Sequence, residues 1–185
     1  MMVKPKVSIV NIVVTCDLGM RLDLKKVARL SGFYYDPHIY RGRAAYFQDH
    51  KTKGKIILFN SGKLISVGVK SEDEAIHDLK YVTKLLIKAN IVENDFTNHK
   101  ISNIVAVADI GKPIDIEALA SRVKGAIYEP EQFPGVIIKL YTPEKATLLF
   151  FSSGKIIITG LKSRESIEEA ANRILSLLNS LKKDK

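Results

Sequence analysis

Five blocks of this 185-residue chain occur twice, in the same order. Val10-Asn11-Ile12-Val13 recurs as Ser102-Asn103-Ile104-Val105, and Asp17-Leu18-Gly19 as Asp109-Ile110-Gly111. Tyr35-Asp36-Pro37 answers Tyr128-Glu129-Pro130. Phe59-Asn60-Ser61-Gly62-Lys63 answers Phe151-Ser152-Ser153-Gly154-Lys155, and Gly68-Val69-Lys70-Ser71 answers Gly160-Leu161-Lys162-Ser163. Self-similarity on this scale means two copies of one supersecondary unit, and it constrains the fold more than any composition does. The copies are expected to span 6–95 and 98–185.

Each copy reads alike. An apolar strand (7–15; 101–108) leads through a glycine into a short helix starting near Asp23 or Asp115, each a natural N-terminal cap. Four extended segments follow, near 32–36, 41–48, 54–60 and 63–69, and near 125–129, 134–141, 146–152 and 155–161. A long amphipathic helix closes each copy, marked by Ile76, Leu79, Val82 and Leu86, and by Ile167, Ala170, Ile174 and Leu178 at helical spacing. Ten hairpin-linked strands and four helices imply an antiparallel α+β fold. Helices can cover one sheet face only. Yet stretches such as Lys55-Ile56-Ile57-Leu58-Phe59 and Ile156-Ile157-Ile158 do not alternate with polar residues, so the second face should be apolar as well. An apolar face of that extent marks a binding surface.

Composition narrows what binds there. Lysine and arginine number 29 against 20 acidic residues, a net charge of +9 that favours a polyanion. One cysteine, Cys16, excludes an internal disulfide, and the four histidines are scattered, so no metal site and no cofactor are expected. No apolar run approaches the ~20 residues of a membrane span. Met1-Met2-Val3-Lys4-Pro5 lacks the apolar core of a signal peptide, so an intracellular, cytoplasmic location is expected. Asp17 and Asp109 precede glycine at a strand–helix turn, where capping accounts for them. Without a clustered Asp/Glu/His set, the chain does not read as an enzyme.

The repeated blocks resemble the TATA-binding protein family of archaea and eukaryotes over essentially the whole chain. The second copy is the closer match, through Tyr128-Glu129-Pro130-Glu131-Gln132-Phe133-Pro134-Gly135, Phe151-Ser152-Ser153-Gly154-Lys155 and Thr159-Gly160-Leu161-Lys162-Ser163. The resemblance implies a tandem-duplicated saddle. Its ten-stranded curved antiparallel sheet would carry four helices on the convex face and seat its concave face on the DNA minor groove. That family is itself a type case of a minor-groove wedge binder. An archaeal general transcription factor is implied, binding and bending A·T-rich promoter DNA. It would recruit transcription factor B and, through it, RNA polymerase, acting as a monomer on DNA and with a dimer as the alternative without it.

The resemblance also assigns residues. Asn11 and Asn103 match the family's central asparagines, which donate to the acceptors that an A·T pair shows in the minor groove. Val13, Val105, Val67 and Thr159 would fill the groove beside them. Kinking wedges map to Phe133 and Phe151 in the second copy and to Tyr40 and Phe59 in the first. Lys63, Lys70, Lys139, Lys155 and Lys162 would meet phosphates. Glu129 and Glu131 would dock transcription factor B.

The first copy departs from this pattern. Tyr40 stands where a Phe is usual, Val67 faces Thr159, Tyr46 takes the place of Lys139, and Arg43 that of Val136. The turn from Gln48 to Gly54 reads as longer than its counterpart. A divergent paralogue acting as a regulator or interaction module, with weak or altered DNA binding, is the alternative these changes support.

Overall fold

The computed structural model describes residues 5–183; the four N-terminal residues read above for a signal core lie outside them. The ten expected strands and four expected α-helices are present, and the chain divides into two compact units. One comprises Asn11–Ser102, the other Met1–Val10 with Asn103–Lys185. The first strand, β1 (Lys6–Asp17), contributes to both.

In the unit Asn11–Ser102 the strands are ordered β2 (Phe33–Tyr35), β3 (Ala44–Phe47), β4 (Lys55–Phe59), β5 (Lys63–Val69) and then β1, each pairing antiparallel with the next. Its helices are α1 (Leu24–Val27) and α2 (Glu72–Lys88). Asp23 caps α1 by accepting from the Lys25 and Lys26 amides. Ser71 Oγ accepts the Glu74 N–H, while Glu74 reaches back to the Lys70 N–H, a capping box stretched by one residue. α2 packs its buried Leu79, Val82 and Leu86 against Ile56, Leu58 and Leu64, all fully buried.

The other unit repeats this plan. β6 (His99–Asp109), β10 (Lys155–Leu161), β9 (Ala146–Phe150), β8 (Val136–Leu140) and β7 (Ile127–Tyr128) lie in that order, again antiparallel. α3 (Ile116–Arg122), capped by Asp115, and α4 (Arg164–Lys183) cover one face. Ile167, Ala170, Ala171, Ile174 and Leu178 of α4 are buried, as are Phe150, Ile156 and Ile158 of the strands. Asp17 and Asp109 each accept the N–H two residues on, at Gly19 and Gly111, so both close turns.

Three features escaped the sequence. First, residues 41–43 do not begin β3. Residues 41 and 42 belong to a turn (Ile39–Gly42) that Arg43 closes, and Tyr40, Arg41 and Gly42 take φ values of 49, 54 and 67°. This left-handed region costs a non-glycine residue about 1–2 kcal/mol. Tyr35 Oη donates to the Gly42 carbonyl at 3.2 Å and ties the turn down.

Second, ladder register corrects the match between copies. Tyr35 pairs with Ala45 and Tyr128 with Val136, so nine residues (36–44) span the first connection but seven (129–135) the second. The first copy thus carries two extra residues there. Tyr46 consequently corresponds to Ile137, not Lys139, and Arg43 to Pro134, not Val136. Between Phe47 and Ile56 the first copy has one residue fewer than the second has between Ile138 and Leu148, so the Gln48–Gly54 turn is shorter than its counterpart, not longer.

Third, Asp78 of α2 is completely buried and accepts the Lys53 N–H at 3.0 and 3.1 Å and the Gly54 N–H at 2.8 Å. It fastens the β3–β4 turn to the helix.

Candidate nucleic-acid interface

Strand alternation decides which side chains the helices leave uncovered. In the unit Asn11–Ser102 these are Asn11, Val13 and Thr15 on β1, Ile65 and Val67 on β5, Ile57 and Phe59 on β4, and Tyr46 on β3, all half-buried. In the other unit Asn103, Val105, Val107, Ile157, Thr159, Leu149 and Ile137 occupy the same positions, also half-buried, with Phe151 just beyond β9. Both copies therefore present the second apolar face that their strand patterns imply. Of the adjacent phenylalanines, Phe150 is fully buried and Phe151 lies on the open face.

The two asparagines are held alike. β5 and β10 each bulge at a glycine, where the ladder register shifts. Gly68 and Gly160 have φ of 87 and 98°, which L side chains rarely adopt. Gly68 N–H donates to Asn11 Oδ1 at 2.8 Å, and Gly160 N–H to Asn103 Oδ1 at 2.8 Å. A backbone N–H needs an acceptor, so it fixes which amide atom is oxygen and turns the NH₂ away from the bulge. Thr159 Oγ1 lies 3.3 Å from Asn103 Nδ2, whereas Val67 gives Asn11 no such hydroxyl.

The wedge positions differ between copies. Phe133 and Phe151 meet edge to face, ring centroids 5.7 Å apart. Gly135 lies under both: a Cβ there would stand 2.9 Å from Phe133 Cε1, 3.3 Å from Phe151 Cε1 and 2.8 Å from the Phe150 carbonyl oxygen. In the first copy Ala44, paired with Phe59, takes the register position of Gly135. Tyr40 is 69% exposed, and no ring contact joins it to Phe59 among the described residues. Burial, then the nearby Tyr40 and Tyr34 hydroxyls, raise the Tyr46 pKa above the ordinary phenol value.

Lys63, Lys70, Lys139, Lys155 and Lys162 are all exposed. By alternation Lys63, Lys139 and Lys155 share the open face of their strands. Glu129 and Glu131 are exposed in the β7–β8 connection. No group of three or more His, Cys, Asp or Glu side chains that could hold a metal occurs among the described residues.

A doubled apolar face bearing a fixed asparagine calls for comparison with known proteins. The family model described as transcription factor TFIID (or TATA-binding protein, TBP) matches twice, over residues 6–89 and 98–181. The chain belongs to the TATA-binding protein family. It is 37% identical over 179 residues to the TATA-box-binding protein of Methanocaldococcus jannaschii, covering 96% of each chain. With that of Haloarcula marismortui it shares 38% over 185 residues, 97% of this chain and 98% of the relative. Among solved structures, Methanococcus jannaschii TBP superposes with a TM-score of 0.84 at 37% identity, over 95% of this chain and 99% of that one. The TATA-binding protein family consists of transcription factors rather than enzymes, and its duplicated α+β plan is the one found here. No helix among the described residues is long and apolar enough to cross a membrane.

Proposed function

We propose that this chain is a general transcription initiation factor of an archaeal cytoplasm. It binds and bends A·T-rich promoter DNA through the minor groove and recruits transcription factor B, and through it RNA polymerase. The observation that carries this reading is the half-buried apolar face of each copy with its amide fixed by a bulge glycine. In the minor groove an A·T pair offers only acceptors, while a G·C pair adds an amino group that obstructs close apolar approach. Smooth aliphatic side chains and an outward NH₂ suit the first and not the second. Phe133 and Phe151 supply an unstacking wedge, whose cost of a few kcal/mol the bent duplex returns in contact area. The exposed lysines meet phosphates, and Glu129 and Glu131 form the docking point for factor B.

End-to-end fluorescence transfer on a short duplex with a central TATA-like element, beside a G·C-substituted control at two salt concentrations, tests the reading. Bending confined to the A·T duplex supports it. Equal, unbent and salt-erased binding to both duplexes would leave only non-specific charge. The separation of Tyr40 from Phe59 favours, as second reading, a regulator or interaction module with weakened DNA binding; absence of any binding would promote it.

A further inference from the structure

The second copy places a cation on its open face at Lys139, directly across the ladder from Thr147. The corrected register puts Gln48 at the place of Lys139, so the first copy lacks that cation. It carries Lys55 at the place of Thr147 instead: Lys55 pairs with Val67 as Thr147 pairs with Thr159. The charge has crossed from one strand of the hairpin to the other. Lys55 Nζ is held 5.6 Å from the centre of the Tyr46 ring, a cation–π distance that keeps the ammonium on this face. Tyr34, 57% exposed on the outermost strand of the unit, pairs with Tyr46 across the ladder, ring centroids 6.4 Å apart. Where these three groups stand, the second copy has Thr147, Ile137 and Ile127. Beside them opens a cavity of about 400 Å³ lined by Tyr34, Ile39, Tyr46, Gln48 and Lys55, among others.

We propose that Lys55, with the hydroxyls of Tyr34 and Tyr46, forms a phosphodiester-binding subsite of the first copy that replaces the relocated Lys139-type contact. An ammonium and two phenol O–H groups lining one cavity bring three donors to a sheet edge. It matches the acceptor oxygens of a backbone phosphate, which hydroxyl, ammonium and guanidinium side chains commonly hold. At neutral pH a phenol keeps its proton, so both hydroxyls are available for donation. The subsite rests on the minor-groove reading above, because it needs duplex DNA on this face.

The test is the salt dependence of affinity for an A·T-rich duplex. Replacing Lys55 by the residue of the other copy, Lys55→Thr, should lower the slope of log K against log salt by about 0.9, the release of one counterion. Adding Gln48→Lys to that variant restores the second copy's arrangement and should restore the slope. Tyr34→Phe with Tyr46→Phe should leave the slope unchanged and weaken binding roughly 3- to 10-fold, as loss of uncharged hydrogen bonds does. An unaltered slope in Lys55→Thr, with the parent protein bending the duplex, overturns the subsite and leaves the DNA-binding reading intact. Failure of the parent protein to bind any duplex overturns both.

Discussion

Asn103 accepts the backbone N–H of Gly160 through Oδ1 at 2.8 Å, and this bond divides the residue's duties between fold and face. The carbonyl belongs to the bulge; the NH₂ gives one N–H to Thr159 Oγ1 at 3.3 Å and keeps the other for whatever lies against the sheet. Asn103→Asp separates the two. A carboxylate keeps the acceptor for Gly160 and puts negative charge where a donor stood. Thermal stability should change by less than about 1 kcal/mol, the scale of one net hydrogen bond. Affinity for A·T-rich duplex should fall roughly 10- to 100-fold, the worth of a base contact. Equal losses in stability and binding would make the asparagine purely structural.

Gly135 is the floor of the Phe133–Phe151 pair. In Gly135→Ala the new methyl meets a backbone carbonyl and a ring edge at under 3 Å, so strand or ring must move. A loss of about 1–3 kcal/mol in urea unfolding is expected, with reduced bending in the fluorescence-transfer assay. Phe133→Ala should reduce bending without that overpacking cost. Bending unchanged in both variants would remove the wedge from the account.

Glu131 is exposed in the β7–β8 connection, two residues before the half-buried wedge Phe133. Glu131→Arg should leave duplex affinity and bending unchanged or slightly improved, and abolish capture of transcription factor B on preformed DNA complexes in a gel-shift assay. Loss of DNA binding would instead show that this connection lies against the duplex.

Asp78 anchors a turn by taking two backbone N–H groups in the core. Asp78→Ala leaves both donors unpaired and should cost about 2–6 kcal/mol, at about 1–3 kcal/mol for each donor left without a partner. Asp78→Asn, which keeps one acceptor oxygen, should cost less. Equilibrium urea denaturation of the three proteins checks the order.

Burial, reinforced by the charges of Asp95 and Asp17, pushes the Cys16 thiol up to about 12 from an ordinary 9.0. The folded protein therefore holds this proton more tightly than the unfolded chain does. The contribution to stability is complete below pH 9 and declines as pH rises from 9 towards 12, where only the unfolded chain ionises. Iodoacetamide at pH 8 should leave native Cys16 unmodified and label it fully in urea. Rapid native labelling would place the thiol outside the core.

Much of this was legible before any coordinates. Duplicated blocks exposed two units, and alternation around Asn11, Val13, Asn103 and Val105 selected the open face. The misreadings share one cause. Matching Tyr46 to Lys139 carried a single spacing through a connection that has gained two residues and a turn that has lost one. Length changes of opposite sign conceal each other between conserved blocks, and only ladder pairing reveals them. Asp78 was missed because a carboxylate on an amphipathic helix ordinarily reads as solvated surface. Lys55 and Tyr34 carry no recurrence signal in the sequence, because Thr147 and Ile127 stand at their matched positions.

The two residues gained between β2 and β3 also bear on how the copies diverged. Side chains along a strand change sides at every step, so an odd insertion risks turning a strand inside out. An even one, coiled into the left-handed turn at Tyr40, Arg41 and Gly42, lets Ala45 and Phe47 keep facing inward and Tyr46 outward. The β3–β4 turn, one residue shorter than its counterpart, absorbs an odd change as well, and Ile57 and Phe59 beyond it still lie on the open face. The loop could become foreign to its twin while every strand after it went on pointing the same way.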